Sequence, residues 1–420
     1  MKRRNLHPLL FAFFSFLLLL HALLFWRAKD DALKGLADFS SFYSSAWMVR
    51  QGLGHELYDP ITQSRAQSTL FPEASSRNGL LPYIHPPFEV LLFLPLTYFS
   101  YRAAYFFWMV INIFLLLATA KVMAPHMTDL RSLWTPLPLL LYLGFFPAFI
   151  AVLQGQDSIV LLLVFAFVFV NLKEKHDFKA GFILALGLFK FQYTLSLMVP
   201  FLLRRRWKVL EGAASSTAIL FLVALPVAGL HGSLSYPSFL LNLLKGSTSH
   251  EVQNALGIAS NTMPNIRGTI EILGSGLLQP NFRKMVIILL SGAAVIWAAA
   301  KWRISPVQPG TFDPGFALLI VASVLVSYHL QFHDLTILLI PFSLMLNHSL
   351  KSRCDSARWR FLTFGIVALF FFSPLYLWLI QRRMLFLLFI PILFLAAMLN
   401  REIDFPAVDE KGSAGVNQEA

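Results

Sequence analysis

The sequence predicts an all-α integral membrane protein, a bundle of about twelve transmembrane helices with interfacial helices in its outer loops. Of its 420 residues, 57% are hydrophobic and 13% charged, a charged share about half that of a soluble domain. Apolar runs of about 20 residues, enough to cross roughly 30 Å of hydrocarbon, recur from residue 6 to residue 399. Lysines and arginines sit in short clusters between those runs, as the positive-inside rule describes.

These runs leave no room for a sizeable soluble domain. Residues 1–400 are therefore read as one transmembrane domain, and 401–420 as a polar, disordered cytoplasmic tail. The net charge of +12 is a topology signal and not a nucleic-acid signal, because no soluble basic face carries it. Cys354 is the only cysteine, which excludes an intrachain disulfide and a cysteine-based zinc site. Walker-type glycine loops, Gly-x-Gly-x-x-Gly and His-Glu-x-x-His are absent, so soluble nucleotide and zincin chemistry is excluded and no cofactor is expected.

Taken in order, Met1-Lys-Arg-Arg4 precedes the apolar run Leu6 to Trp26. It resembles a signal peptide, but the run is too long and has no small-residue cleavage site, so it reads as an uncleaved first span. Further spans are predicted at 86–99, 103–123, 134–153, 156–172, 179–203, 209–230, 285–303, 314–331, 334–350, 360–380 and 384–399. Charge bias places Lys2–Arg4, Arg204–Lys208, Lys301–Arg303 and Lys351–Arg360 in the cytoplasm, which leaves two long outer loops, about 27–85 and 231–283.

Lys173-Glu-Lys-His-Asp-Phe-Lys179 resists this scheme. Its charge is cytoplasmic, yet twelve simple spans put it outside. To place it inside, 180–203 must form a hairpin that turns back near Lys190, with the break at Gln154-Gly-Gln-Asp157 absorbing the change of parity. Broken helices of that kind are tolerated where they line a wet cavity. Both layouts satisfy the sequence.

In the first outer loop, Phe39, Phe42, Tyr43, Ala46 and Trp47 form one apolar helical stripe, expected to lie flat in the membrane interface. Gly52 and Gly54 end that helix, and Tyr58-Asp-Pro60 reads as a turn. In the second loop Phe239, Leu240, Leu243 and Leu244 make a second interfacial stripe, Gly246–Ser249 reads as mobile, and Asn261 to Leu273 as a short helix.

Polar residues in or beside apolar spans are functional hypotheses by default, since each costs a few kcal/mol at mid-bilayer. Asp38 stands immediately before the aromatic helix. As an N-cap its carboxylate would accept from the N–H groups of Ser40 and Ser41, and a carboxylate fixed at a cavity mouth is also placed to take a proton from a sugar hydroxyl. His85, in Tyr83-Ile-His-Pro-Pro-Phe88, would face the outer cavity and donate to a phosphate. Lys190, the only charge between Ala180 and Leu203, must snorkel, pair or face water, and contact with an anionic headgroup is its simplest role. Arg267 is the other candidate for a lipid phosphate. His329 and His333, at i and i+4 on one expected helix face, would share a metal with Asp334 only if a further ligand existed. Hydrogen bonding to a substrate or to Asp38 is the simpler use, so no metal site is assigned. Gln154-Gly-Gln-Asp157 is either cavity lining or a structural helix break.

Asp38 with Tyr43 and Gly52, then Leu57-Tyr58, Tyr83-x-x-Pro86-Pro87, Pro95, Trp108, Gly155-Gln156, Gly181 and Lys190 resemble, in order and spacing, the bacterial polyprenol-phosphate-mannose-dependent mannosyltransferases. That is glycosyltransferase family 87 of the GT-C superfamily. The likeness runs over about residues 35–345, with His329 and His333 near an outer helix end. Lys190-Phe191 stands where the family often has Lys-Pro, and Asn261-Thr-Met263 where it has Asn-Gln-Ser.

The resemblance implies a GT-C-type bundle in the bacterial inner membrane. It would move a sugar, mannose by the likeness, from a polyprenyl-phosphate-linked donor to a glycolipid or glycan acceptor on the non-cytoplasmic face. Asp38 would be the catalytic base, with His85, Lys190, Arg267, His329, His333, Tyr43, Gln156 and Asn261 binding substrate. Neither a nucleotide sugar nor an obligatory metal is implied, and the partners are membrane lipids and not nucleic acid. The rival class is a transporter or flippase of lipid-linked sugars; two related halves would favour it, and the sequence shows none.

Overall fold

In the computed structural model, residues 3–76, 81–245, 260–302, 310–351 and 357–404 are described. Met1 and Lys2, the Gly246–Ser249 segment, Arg303, Cys354 and the tail after Asp404 lie outside them, as do the side chains of Arg3, Arg4, Leu243, Leu244 and 351–360. Every regular element among the described residues is helical. Six stretches are long and apolar enough to cross a bilayer, or up to eight if two bent pairs, Leu137–Gly144 with Phe146–Gln154 and Phe361–Phe371 with Ser373–Gln381, each count as one span. That is fewer than the expected twelve: Pro87–Tyr98, Ser158–Lys173 and Phe312–Val326 are apolar but shorter, and two segments depart from simple crossings.

The first is Pro87–Tyr98. A short helix, Val90–Phe93, is flanked by 3-10 turns Pro87–Glu89 and Leu94–Tyr98. With α1 as Arg3–Asp31, α2 as Phe39–Arg50 and α3 as Pro60–Leu70, this becomes α4, and α5 is Tyr101–Met123. Arg50, at the end of α2, donates to the Thr97 carbonyl, and the Tyr43 hydroxyl donates to Phe99 O at 2.8 Å. Tyr105 and Trp108, early in α5, donate to Leu153 O at 2.6 Å and Gly155 O at 2.9 Å. The segment 86–99 therefore begins and ends on the face that carries α2, and does not cross.

The second is the hairpin. After α6 (Thr128–Leu133), α7 (Leu137–Gly144), α8 (Phe146–Gln154) and α9 (Ser158–Lys173) come α10 (Asp177–Ala185), a 3-10 turn Leu186–Lys190, and α11 (Phe191–Leu203). As one straight rod, the 27 residues Asp177–Leu203 would reach roughly 40 Å. Instead Asp177 is paired with Arg206 at 2.6 Å. The Thr194 hydroxyl donates to Gly187 O at 2.6 Å, a pair that would stand about 10 Å apart along a continuous helix. Lys190 itself is non-helical (φ −114°, ψ 64°). The chain turns back at Lys190, so Lys173–Lys179 and Arg204–Lys208 share one side. The parity change is absorbed by the non-crossing 87–98 segment, and not by the Gln154–Asp157 break, which is a turn between α8 and α9.

The next helix, α12 (Trp207–Lys245), is kinked at Gly229 (φ 71°, ψ 173°) and closes on α10. A Cβ at Gly181 would collide with the Val209 carbonyl, and one at Gly212 with the Phe178 carbonyl. Phe239 and Leu240 continue this helix, with Phe239 stacked on Tyr58 (4.7 Å between rings), so they are no separate interfacial element. The expected short helix of the second loop is present as α13 (Ile266–Leu273), capped by Asn265, whose side chain accepts from Gly268 N at 2.8 Å. The remaining helices are α14 (Pro280–Lys301), α15 (Phe312–Val326), α16 (Leu339–Lys351), α17 (Ala357–Phe371), α18 (Ser373–Gln381) and α19 (Phe389–Asp404), the last running into the segment read as tail. Lys173–Asp313 (2.6 Å) and Lys301–Asp404 (2.8 Å) pairs, with Arg204 donating to Ala300 O (2.7 Å), gather the helix ends at one basic end of the bundle.

The α2 helix is packed on both of its faces, not on one apolar stripe alone. Phe39, Phe42, Tyr43 and Ala46 are buried, but so are Ser40, Ser41, Ser44 and Ser45 on the other face. Small hydroxyls bonded to the preceding turn, Ser40 to Ala37 O at 2.9 Å and Ser44 to Ser41 O at 3.1 Å, let neighbours pack on both sides. Phe42 stacks on Phe93 at 4.6 Å, and Phe39 meets Tyr105 at 6.0 Å.

The hairpin predicts that single cysteines replacing Lys175 and Arg205, in a Cys354→Ala background, react with an impermeant thiol reagent from the same side of sealed vesicles. Labelling from opposite sides would show that 177–203 crosses.

Candidate active site

Opposite the basic end lies a cleft lined by Asp38, His85, Gln156, Lys190, His329 and His333, with Ser41, Gln192, Leu240, Tyr328, Gln331 and Asp334. Six chain segments supply it, the end of α12 with Leu240 among them. The others are the start of α2, the stretch before α4, the α8–α9 break, the hairpin tip and the turn after α15.

Asp38 is half-buried at this cleft. Its Oδ2 accepts from Gln156 Nε2 at 2.7 Å, and its backbone N–H donates to Gln154 Oε1 at 3.1 Å. It does not cap α2. Its backbone is helical (φ −60°, ψ −25°) and its side chain makes no cap bond, because capping needs an extended residue that folds its oxygen over the first turn. The Ser40 and Ser41 N–H groups go instead to the carbonyls of Ala37 and Asp38, both at 3.0 Å. The carboxylate is thereby left to the cleft. What presents the two glutamines is Gly155, whose positive φ of 64° ends α8. A Cβ there would sit 2.7 Å from that of Phe39, so only glycine allows α2 to approach.

Lys190 is 4% exposed. Its Nζ lies 2.5 Å from Asp334 Oδ1 and 2.9 Å from Asp157 Oδ1, and 3.2 Å from Ser158 Oγ. Ser158 Oγ also donates to Asp334 Oδ1 at 2.8 Å, and Gln331 N to Asp334 Oδ2 at 3.1 Å. The expected free cation for a headgroup is therefore a paired one. At membrane depth an unpaired ammonium is the expensive alternative.

His85 Nδ1 stands 2.8 Å from Glu89 Oε2 and 3.7 Å from Asp157 Oδ2. Burial pushes its imidazole below the usual histidine range, and burial pushes that of His329 down to about 4, so both are neutral at pH 7 and offer N–H donors rather than charge. His329 and His333 do not share a helix face. Ser327 to Gln331 is an irregular turn, and His333 begins a 3-10 helix, Phe332–Leu338. Both still line the cleft, with His333 Nε2 at 3.6 Å from Asp334 Oδ1.

Three expected site residues do not line it. Tyr43 is spent on Phe99. Arg267 donates to Tyr328 O at 2.7 Å and stacks over the Tyr328 ring at 3.8 Å, so it supports a cleft residue from behind. Asn261 lies in the 3-10 turn Ser260–Thr262. Conversely, Glu89 and the roles of Gln154 as a partner of Asp38 and of Asp157 and Asp334 as partners of Lys190 escaped the sequence reading. One signal was available for Glu89, a lone carboxylate in the apolar run from Pro86 to Leu96.

The model of glycosyltransferase family 87 matches residues 83–328, more than half of the chain. No curated protein and no solved structure matches. The matched region holds His85, Gln156 and Lys190, and leaves Asp38, His329 and His333 outside it. A cleft of polar side chains at one end of a bundle of membrane helices suits such an enzyme, and the match settles which kind it is: the chain belongs to glycosyltransferase family 87.

Proposed function

We propose that this glycosyltransferase is of the GT-C type, and takes a sugar, mannose by its family resemblance, from a polyprenyl-phosphate carrier to a hydroxyl of a glycolipid or envelope glycan, with inversion. The cleft would face the non-cytoplasmic side of a bacterial inner membrane, since the Lys173–Lys179, Arg204–Lys208 and Lys301 clusters gather at the opposite end. Asp38 at the cleft, held by Gln156 and free of any cap bond, is the observation that carries this reading.

In the reaction, Asp38 takes the proton from the acceptor hydroxyl as its oxygen attacks the anomeric carbon. The new C–O bond forms while the bond from that carbon to the phosphate oxygen breaks, and the electron pair leaves with polyprenyl phosphate. A phosphate leaving group needs donors more than a general acid. Lys190 is committed to Asp157 and Asp334, so the donors available to the phosphate are the neutral imidazoles of His85, His329 and His333. With Oδ2 bound to Gln156, Asp38 keeps its other oxygen for the acceptor. Spans around the cleft give the carrier's tail an apolar path.

Two outcomes test these assignments. In purified protein supplied with polyprenyl-phosphate mannose and candidate acceptors, Asp38→Asn should lower turnover by about a hundredfold or more, the range of a lost general base. Turnover equal to wild type would remove Asp38 from the mechanism, and carrier movement across the bilayer without glycosidic product would point to a flippase. Lys190→Met should cost about 3–5 kcal/mol of stability, because it leaves buried carboxylates unpaired, and Asp334→Asn added to it should restore part of the loss in thermal unfolding. An unchanged unfolding temperature with a raised KM for the donor alone would make Lys190 a phosphate ligand.

A further inference from the structure

Behind His85, three side chains converge in a way that hydrogen bonding does not explain. His85 Nδ1, a Glu89 carboxylate oxygen and an Asp157 carboxylate oxygen all lie within 4.8 Å of one another. Glu89 and Asp157 are fully buried. Yet no well-aligned hydrogen bond reaches His85 Nδ1, Glu89 Oε1 or Asp157 Oδ2, Asp157 Oδ1 being the oxygen paired with Lys190, and the 2.8 Å contact between His85 Nδ1 and Glu89 Oε2 lacks hydrogen-bond alignment. A buried polar atom without a partner is costly, and here several point at one another.

Charge gives the same indication independently. Glu89, Asp157 and Asp334 are three buried carboxylates facing one ammonium, that of Lys190. Were all three ionised and the imidazoles neutral, two negative charges would be left uncompensated in a region where each costs several kcal/mol. One divalent cation cancels both. Lys190 holds Oδ1 of Asp157 at 2.9 Å, which leaves Oδ2 on the side of His85.

We propose that His85 Nδ1, Glu89 and Asp157 Oδ2 form a binding site for a divalent cation of the Mn2+ or Zn2+ type. One imidazole nitrogen with two carboxylates suits those ions better than Mg2+ or Ca2+, which take oxygen ligands. Ligands at about 2.0–2.2 Å from a shared ion stand up to about 4 Å apart, so the trio closes by less than an ångström. The ion would fix the ring of His85 through Nδ1 and leave Nε2 for the cleft. The site is separate from Asp38 and does not depend on the donor or acceptor proposed above.

The alternative way to neutralise the cluster is two protons, and metal analysis separates the two. Protein stripped with chelator and reconstituted in lipid nanodiscs would be loaded with MnCl2 or ZnCl2, desalted, and its metal counted by mass spectrometry. Wild type should retain close to one ion per chain, Glu89→Gln and His85→Ala less than a tenth of that, and Asp38→Asn as much as wild type. Wild type retaining no more than Glu89→Gln, or Asp38→Asn losing as much, overturns the site. If the ligand variants do not fold, the wild-type protein decides alone: the electron spin echo of bound Mn2+ should show coupling to an imidazole nitrogen, and its absence excludes His85 as a ligand.

Discussion

The architecture depends on one buried ammonium. Lys190 sits at the turn of a hairpin that never leaves the bundle, and its two carboxylate partners come from the α8–α9 break and from the 3-10 helix after α15. Three segments that are remote in sequence are thus pinned at one depth. An apolar contact would tolerate sliding by a residue, whereas an ammonium between two carboxylates in a low-dielectric site does not, because the displaced charges would be left bare. The desolvation cost is the source of the specificity. It also explains why Ser158 and the Gln331 N–H are spent on Asp334 rather than on substrate.

With the hairpin fixed, the topology follows. An ordinary crossing at 87–98 and a straight 177–203 span would have reversed the side of everything between them. Neither occurs, and the two departures cancel, which is how the Lys173–Lys179, Arg204–Lys208 and Lys301 clusters reach one end while both long loops reach the other. Close packing supports this reading. Gly181 and Gly212 let α10 and α12 approach to backbone contact, and the Asp177–Arg206 pair ties the hairpin's two feet together.

Sequence periodicity and charge bias were sufficient for the all-helical membrane class and for most residues that line the cleft, but not for the number of crossings. Asp38, His85, Gln156, Lys190, His329 and His333 were legible because a polar residue beside an apolar run has few cheap explanations. What was not legible was pairing. Nothing local tells that Lys190 will find Asp157 and Asp334, from segments 33 and 144 positions away, and so its charge was assigned to a headgroup. Tyr43 was misread for a related reason. A one-sided aromatic stripe describes a surface helix and a buried helix with a serine face equally well, and only the neighbours of α2 decide between them. The i, i+4 spacing of His329 and His333 failed because the helix it presumed ends at Val326.

The cleft has two chemically different walls, and their separation follows from which polar groups are already occupied. On one side Asp38 is held by neutral glutamines, which orient a carboxylate without adding positive charge next to it, so its free oxygen stays available to a proton. On the other side all the formal charge is tied up in the Lys190 cluster, and what faces outward is imidazole N–H. A phosphate ester placed there meets directional donors rather than a permanent cation. In the reaction proposed above, charge on the phosphate would grow as the bond breaks, and donors that strengthen with that charge would assist the step more than an ion pair already formed in the ground state. In that proposed reaction the paired lysine would serve by being neutralised: it builds the wall and would leave the histidines to respond to the leaving group.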